Sequence, residues 1–177
     1  MNTSEGTLRS IRVRDTDAVI ARGWHVILIA RHPGPLQKLV DDGRLEHIPA
    51  LSPSSELVKK VAEMKKRGEW NKENFQNYFV SDFLEETESE EFCNALNNLF
   101  IRVKKGENIA LTCFCGDAEM CHRSIVIGLL QAVGVKTLGP DYSPYWLIRQ
   151  VSKHTKEEKE KERAVPKPEQ QRLFIMA

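Results

Sequence analysis

The stretch from Gly106 to Gly134 limits the possible folds more than any other. Asn108 to Leu111 is a short apolar run led in by a glycine, the pattern of a buried strand. Further on, Ile125, Leu129, Leu130 and Val133 recur at helical spacing, and Gly134 is placed to end that helix. Between the two lie Cys113, Cys115, Asp117, Cys121, His122, Arg123 and Ser124. A strand that enters a helix through a polar turn is the building unit of an open parallel sheet. Such sheets bind ligands outside the carboxyl ends of their strands, where helix N-termini offer free N–H groups. The spacing therefore predicts that the chemistry sits in this turn. Arg123 and Ser124, in the first helical turn, are placed there to hold an anion such as phosphate.

Three chemistries fit the turn. Cys113, Cys115, Cys121 and His122 are thiolate and imidazole donors crowded into one loop, the ligand types of zinc and of some iron centres. The Cys-x-Cys spacing is tighter than in most structural zinc sites. Because alternate strand residues face opposite ways, both thiols can reach one ion only if the strand stops by Cys113. A second possibility is a thiolate nucleophile activated by the helix N-terminus and Arg123. A phosphatase-like loop separates cysteine and arginine by five residues; here Cys115 and Arg123 have seven between them, which disfavours it. In the third, Cys113 is a small core residue and His122 caps the helix or bonds the backbone.

Elsewhere the chain alternates short strands with helices. Leu8, Ile11 and Val13 suggest a strand flanked by Arg9, Arg12 and Arg14, a basic cluster more typical of a solvated edge strand than of a phosphate grip. Asp15 is placed to cap a helix ending at Gly23, and the apolar run Trp24 to Ala30 has the mark of a strand covered on both faces. That strand runs into Arg31-His32-Pro33-Gly34-Pro35, a turn on the same rim as the cysteine loop, so Arg31 and His32 are expected to join it. A helix over Leu36 to Val40, a strand over Leu45 to Ile48 and a Ser-rich helix start at 52–56 follow. Residues 56–105 are helical in pattern, with Gly68 and the acidic run Glu85 to Glu91 as breaks. Phe75, Phe79, Phe83 and Phe92 are expected in the core, and Cys93 as a buried thiol. Val135 to Leu138 makes a last strand, and Asp141 to Trp146 opens a last helix. The expectation is one α/β domain over residues 7–152 with about five mainly parallel strands, after a disordered start at 1–6.

Composition excludes several classes. A net charge of +1 leaves no global footprint for nucleic acid, so any such contact must be local. Four cysteines, three of them beside a histidine, do not form a disulfide framework, which favours a reducing cytoplasm. The polar start and the lack of a long apolar run lead to the expectation of a soluble protein with no membrane contact.

The segment IALTCFCGDAEMCHRSIVIGLLQ resembles the signature of the domain-of-unknown-function family numbered 488, whose members carry Cys-His-Arg at a strand-to-helix turn. Its Cys-Phe-Cys followed by Cys-His is also similar to a second uncharacterised family, numbered 4326. ILIARHPGP resembles the first family's strand ending in Asp-x-Arg and proline, and HIPALSPSSELVKK its next strand and helix. Arg31 and Pro33 match that pattern; the family's Asp is replaced by Ile29. The resemblance implies a Rossmann-like fold and no established reaction.

The tail carries a second signal. Residues 153–169 are expected to make a charged helix extension and a Pro-containing linker, leading to Gln170-Gln-Arg-Leu173-Phe174. This Gln-x-x-Leu-Phe spacing resembles the peptide by which bacterial polymerases and repair proteins bind the sliding clamp. Together these features point to an enzyme acting on DNA or nucleotides, on damaged or modified bases, recruited by a clamp. Arg31, His32, Asp117 and Arg123 are its candidate catalytic groups. N-glycosidic cleavage is suggested only by fold analogy and the tether. The rival expectation is a non-catalytic, metal-stabilised adaptor or inhibitor that binds a clamp or nucleic acid.

Overall fold

Side-chain alternation along the central strands decides the architecture. In β2 (His25–Leu28) and the residue after it, Val26 and Leu28 pack on one face while Ile27 and Ile29 pack on the other. In β4 (Ile109–Thr112), Ala110 faces the first side, and Ile109 and Leu111 the second. Both strands are therefore covered twice, as their unbroken apolar sequences require. Each fully buried Ile or Leu contributes on the order of 2 kcal/mol by leaving water.

The computed structural model describes residues 4–150. Its sheet has five strands, all parallel, with β1 (Leu8–Ser10), β3 (Glu46–His47) and β5 (Thr137–Leu138) completing the order β3-β2-β4-β1-β5. The chain leaves a vacant place between β1 and β2, and β4 fills it late. The loop after β4 thus emerges between the ends of two earlier strands. The smaller core lies under α1 (Thr16–Ile20) and α2 (Gln37–Asp41). The larger core lies under α3 (Ser55–Lys66), the run α4 (Lys72–Asn74), π-helical Phe75–Phe79 and α5 (Val80–Glu86), then α6 (Glu90–Lys104) and α7 (His122–Ala132). The result is a single three-layer, Rossmann-like α/β domain.

The caps follow the sequence. Ser54 and Ser89 accept N–H bonds from Leu57 and Phe92 at the starts of α3 and α6, and Gly134 ends α7 at φ 84°. Gly128 has a different reason to be glycine: a Cβ there would stand 2.1 Å from the carbonyl oxygen of Tyr142, which packs against α7. Phe75, Phe79, Phe83 and Phe92 are all core residues, linked ring to ring at 5.3–5.9 Å.

Several expectations need correction. β1 is no edge strand: it pairs with β4 and β5, and Arg9 lies over the Trp24 ring instead of in open solvent. Val13 belongs to a 3-10 turn beyond β1, and Asp15 sits at the start of α1 without capping it through its carboxylate. Glu90 and Glu91 begin α6, so within the acidic run only the turn around Thr87 to Ser89 breaks the helix. Cys93 is exposed, because its helix turns Phe92, not its neighbour, to the core. The chain is tied down by Gly6, whose N–H donates to Val103 O, inside the stretch expected to be disordered. Met1 to Thr3 and the whole tail from 151 onward lie outside the described residues.

Candidate metal centre

β4 ends at Thr112, so Cys113 already belongs to the loop and the strand's alternation no longer applies. Phe114 turns outward, its ring against Gly34, while Cys113 and Cys115 turn to the same side with their sulfurs 3.5 Å apart. The chain comes back at Cys121, the N-cap of α7, followed by His122 in its first turn. Nδ1 of His122 lies 3.7 Å from Cys121 Sγ and 4.0 Å from Cys113 Sγ. All four donor atoms fall within 4.8 Å of one another. A tetrahedral ion with metal–sulfur bonds of about 2.3 Å and metal–nitrogen bonds of about 2.0 Å separates sulfurs by roughly 3.8 Å, and sulfur from nitrogen by roughly 3.6 Å. The observed spacings are those of a set that can hold a metal ion.

The surroundings prepare the donors. Nε2 of His122 stands 2.5 Å from the carbonyl oxygen of Ile29, and a carbonyl only accepts, so this nitrogen carries the hydrogen. That leaves Nδ1 facing the sulfurs, the orientation a neutral metal-binding imidazole needs. The His122 ring also packs edge-on against Phe83 at 5.6 Å.

Arg123 is fully buried. Its guanidinium donates to Ile11 O, to Cys115 O and, through Nε at 3.3 Å, to Cys121 Sγ. Its partners are two carbonyls and a sulfur, with no carboxylate, so the negative charge that offsets this buried cation must come from the thiolates. Three thiolates and a divalent ion leave one negative charge, which the guanidinium balances. Without an ion, contacts with Cys115 and Cys121, helped by burial, push Cys113 well above the usual thiol range. Burial pushes Cys121 up too, but contacts with the other thiols and the His122 charge win and hold it well below that range. Burial lowers His122 and the Cys121 charge outweighs it, raising His122 to about 10.

A cleft of about 400 Å³ opens onto the cluster. Its floor is Cys115, Gly116, Asp117, Cys121 and His122; its walls are Val58, Val61, Met120, Phe79 and Trp70, with Lys65 over the Trp70 ring at 5.6 Å. Asp117 is exposed in the floor, where Oδ1 accepts the Glu119 N–H at 2.8 Å.

The structure unites the four predicted donors and Asp117 and separates the others. Arg31 and His32 line a neighbouring depression with Ser52, Ser54, Glu86 and Phe92, and Arg31 donates to Pro53 O at 3.5 Å. Their turn touches the cysteine loop through Gly34 and Phe114. Arg123 and Ser124 do not line the cleft: Arg123 is fully buried with its fork inside, and Ser124 Oγ donates to Cys121 O at 2.8 Å. Both turn inward because the cluster and the carbonyls between strands supply acceptors there. Gln170, Leu173 and Phe174 lie outside the described residues. The sequence reading missed the α3 wall and the carbonyls of Ile11 and Ile29. A helix face carrying Val58, Val61 and Lys65 gives no cue to what it covers, and backbone acceptors leave no mark in a sequence.

Residues 8–134 match the family model described as the active DUF488-N3 subclade, and the protein belongs to the DUF488 family. No curated protein and no solved structure matches the chain. Among the described residues, no helix is long and apolar enough to cross a membrane.

Proposed function

We propose that the protein is a zinc-dependent enzyme that acts on a nucleotide or on a DNA base held in the cleft above the cluster. The observation that carries this reading is that three of the four clustered donors, Cys115, Cys121 and His122, line an aromatic-walled cleft together with Asp117. Thiolates and imidazole suit zinc, with iron the alternative occupant. A bound ion would supply Lewis acidity. Trp70 and Met120 offer an apolar wall for a base, Lys65 a cation for a phosphate, and Asp117 a carboxylate to take a proton from water. Removal of a damaged or modified base by N-glycosidic cleavage fits these groups. Recruitment by a bacterial sliding clamp belongs to the same reading and rests on the spacing of Gln170, Leu173 and Phe174.

The test is turnover. Full-length, zinc-loaded protein is incubated with nucleosides, nucleotides and duplexes carrying modified bases, and released base is measured by chromatography. Cleavage that falls at least about a hundredfold in Asp117→Asn, with zinc retained, supports the enzyme. A second reading is favoured by the donor count, since four protein ligands can close a tetrahedral ion and make it purely structural. Absence of turnover in zinc-loaded protein that still binds a clamp or nucleic acid establishes that metal-stabilised adaptor instead.

A further inference from the structure

The four donors are not held alike. Cys113 follows directly on β4 and is 5 % exposed; Cys121 caps α7 and is 1 % exposed. Outside the cluster, His122 is fixed by the carbonyl of Ile29, and Cys121 Sγ receives the Nε–H of Arg123. Among the described residues the Cys113 and Cys115 thiols have no such partner outside the cluster, and Cys115 differs from Cys113 in its exposure, although its carbonyl accepts from Arg123 at 3.3 Å. Its sulfur meets Cys113 Sγ at 3.5 Å and the other cluster donors, and it is the half-buried member of the set, lining the cleft. The chain around it has room: Phe114 is 43 % exposed, and a Cβ added to Gly116 would meet nothing within 4 Å.

We infer that Cys115 is an exchangeable ligand. Cys113, Cys121 and His122 hold the ion permanently, and Cys115 leaves it to open a coordination position on the cleft side for water or a carbonyl oxygen of the substrate. The exchange is balanced without an oxidant. The metal–sulfur bond breaks with its electron pair on sulfur, the incoming oxygen donates a lone pair, and a proton from bound water can pass to the departing thiolate. Two cysteines, one histidine and an open position form the donor pattern of a catalytic zinc, whereas four fixed donors form that of a structural one. The buried Arg123 keeps its contact with Cys121 throughout, and the negative charge it balances stays in the cluster, on the departed thiolate or, once that takes the proton, on the bound oxygen.

This inference rests on the proposed metal occupancy, and the experiment separates the two. Full-length wild type and the Cys113→Ala, Cys115→Ala and Cys121→Ala variants are loaded with zinc for chelator competition. Wild type is also loaded with cobalt for absorption spectroscopy, alone and with azide. Zinc affinity is expected to fall by roughly tenfold in Cys115→Ala and by more than roughly a hundredfold in the other two. Azide is expected to shift the cobalt bands of the wild type as it takes the vacated position. An affinity loss in Cys115→Ala equal to that in Cys121→Ala, or cobalt bands that azide leaves unchanged, overturns the exchange. The azide measurement needs no variant and decides the matter even if Cys115→Ala does not fold. A wild type that binds neither zinc nor cobalt would instead overturn the metal reading itself.

Discussion

The two rims of the sheet each gather an arginine and several titratable partners, with opposite outcomes. At the amino rim, Arg102 is bonded to Glu107 at 2.7 and 2.8 Å and to Glu46 at 2.8 Å, while His25 bridges Glu46 and Glu107 at 2.6 and 3.3 Å. Every charge there has a partner, and all four side chains keep some contact with water. At the carboxyl rim, Arg123 is fully buried with two carbonyls and a sulfur for company, beside three thiols and an imidazole. A cluster complete in its own partners fastens strand ends together. A buried cluster whose charges balance only when thiols ionise is a set that could hold a metal ion.

The largest expected effect is at the carboxyl rim. Cys121→Ser should release the metal and lower stability by about 4 kcal/mol, or roughly 8–16 °C in melting temperature, measured alongside metal content. Purified wild type that is folded and metal-free without exposure to chelator would erase the difference between the rims. Next comes Arg123→Met. Removing the cation leaves the thiolates uncompensated in the interior, with an expected loss of roughly 3 kcal/mol and weaker zinc binding in chelator competition. If stability and zinc affinity both stay at wild-type values, Arg123 is not the counter-charge.

At the amino rim the effect should be smaller and should depend on pH. Arg102 holds Glu107 below the usual carboxylate range, against the upward push of its partial burial. Unfolding therefore takes up a proton as the pH falls through that range. The stabilisation is present above the ordinary carboxylate pKa and is lost as the pH drops through the lower folded value. Urea titrations of wild type and Glu107→Gln should differ by about 1 kcal/mol or less at neutral pH, and converge in strong acid. A difference that instead grows on acidification would contradict the ion-pair assignment.

The smallest effect on the body should come from the tail. Leu173→Ala with Phe174→Ala is expected to leave metal content and melting temperature unchanged while abolishing binding of full-length protein to a bacterial sliding clamp by calorimetry. A lowered melting temperature with no clamp binding would assign the segment to its own domain.

The sequence by itself determined the strands and helices and the class they build. The unbroken apolar run Val26 to Ile29, helical spacing after Cys121 and serine caps are local properties, set by backbone geometry and by which side chains avoid water. It also located the four donors, because their residue types and closeness along the chain are chemical facts. Only the tertiary structure decided which other groups join them. Filling the gap between β1 and β2 with β4 brings Ile29 O to His122 and Ile11 O to Arg123, across sequence separations of 93 and 112 residues. The same placement sends Arg31 and His32 to a separate depression and lays α3 over the cluster as a cleft wall. Strand order is settled by packing of both apolar faces over the whole sheet, and no residue near Cys113 records it.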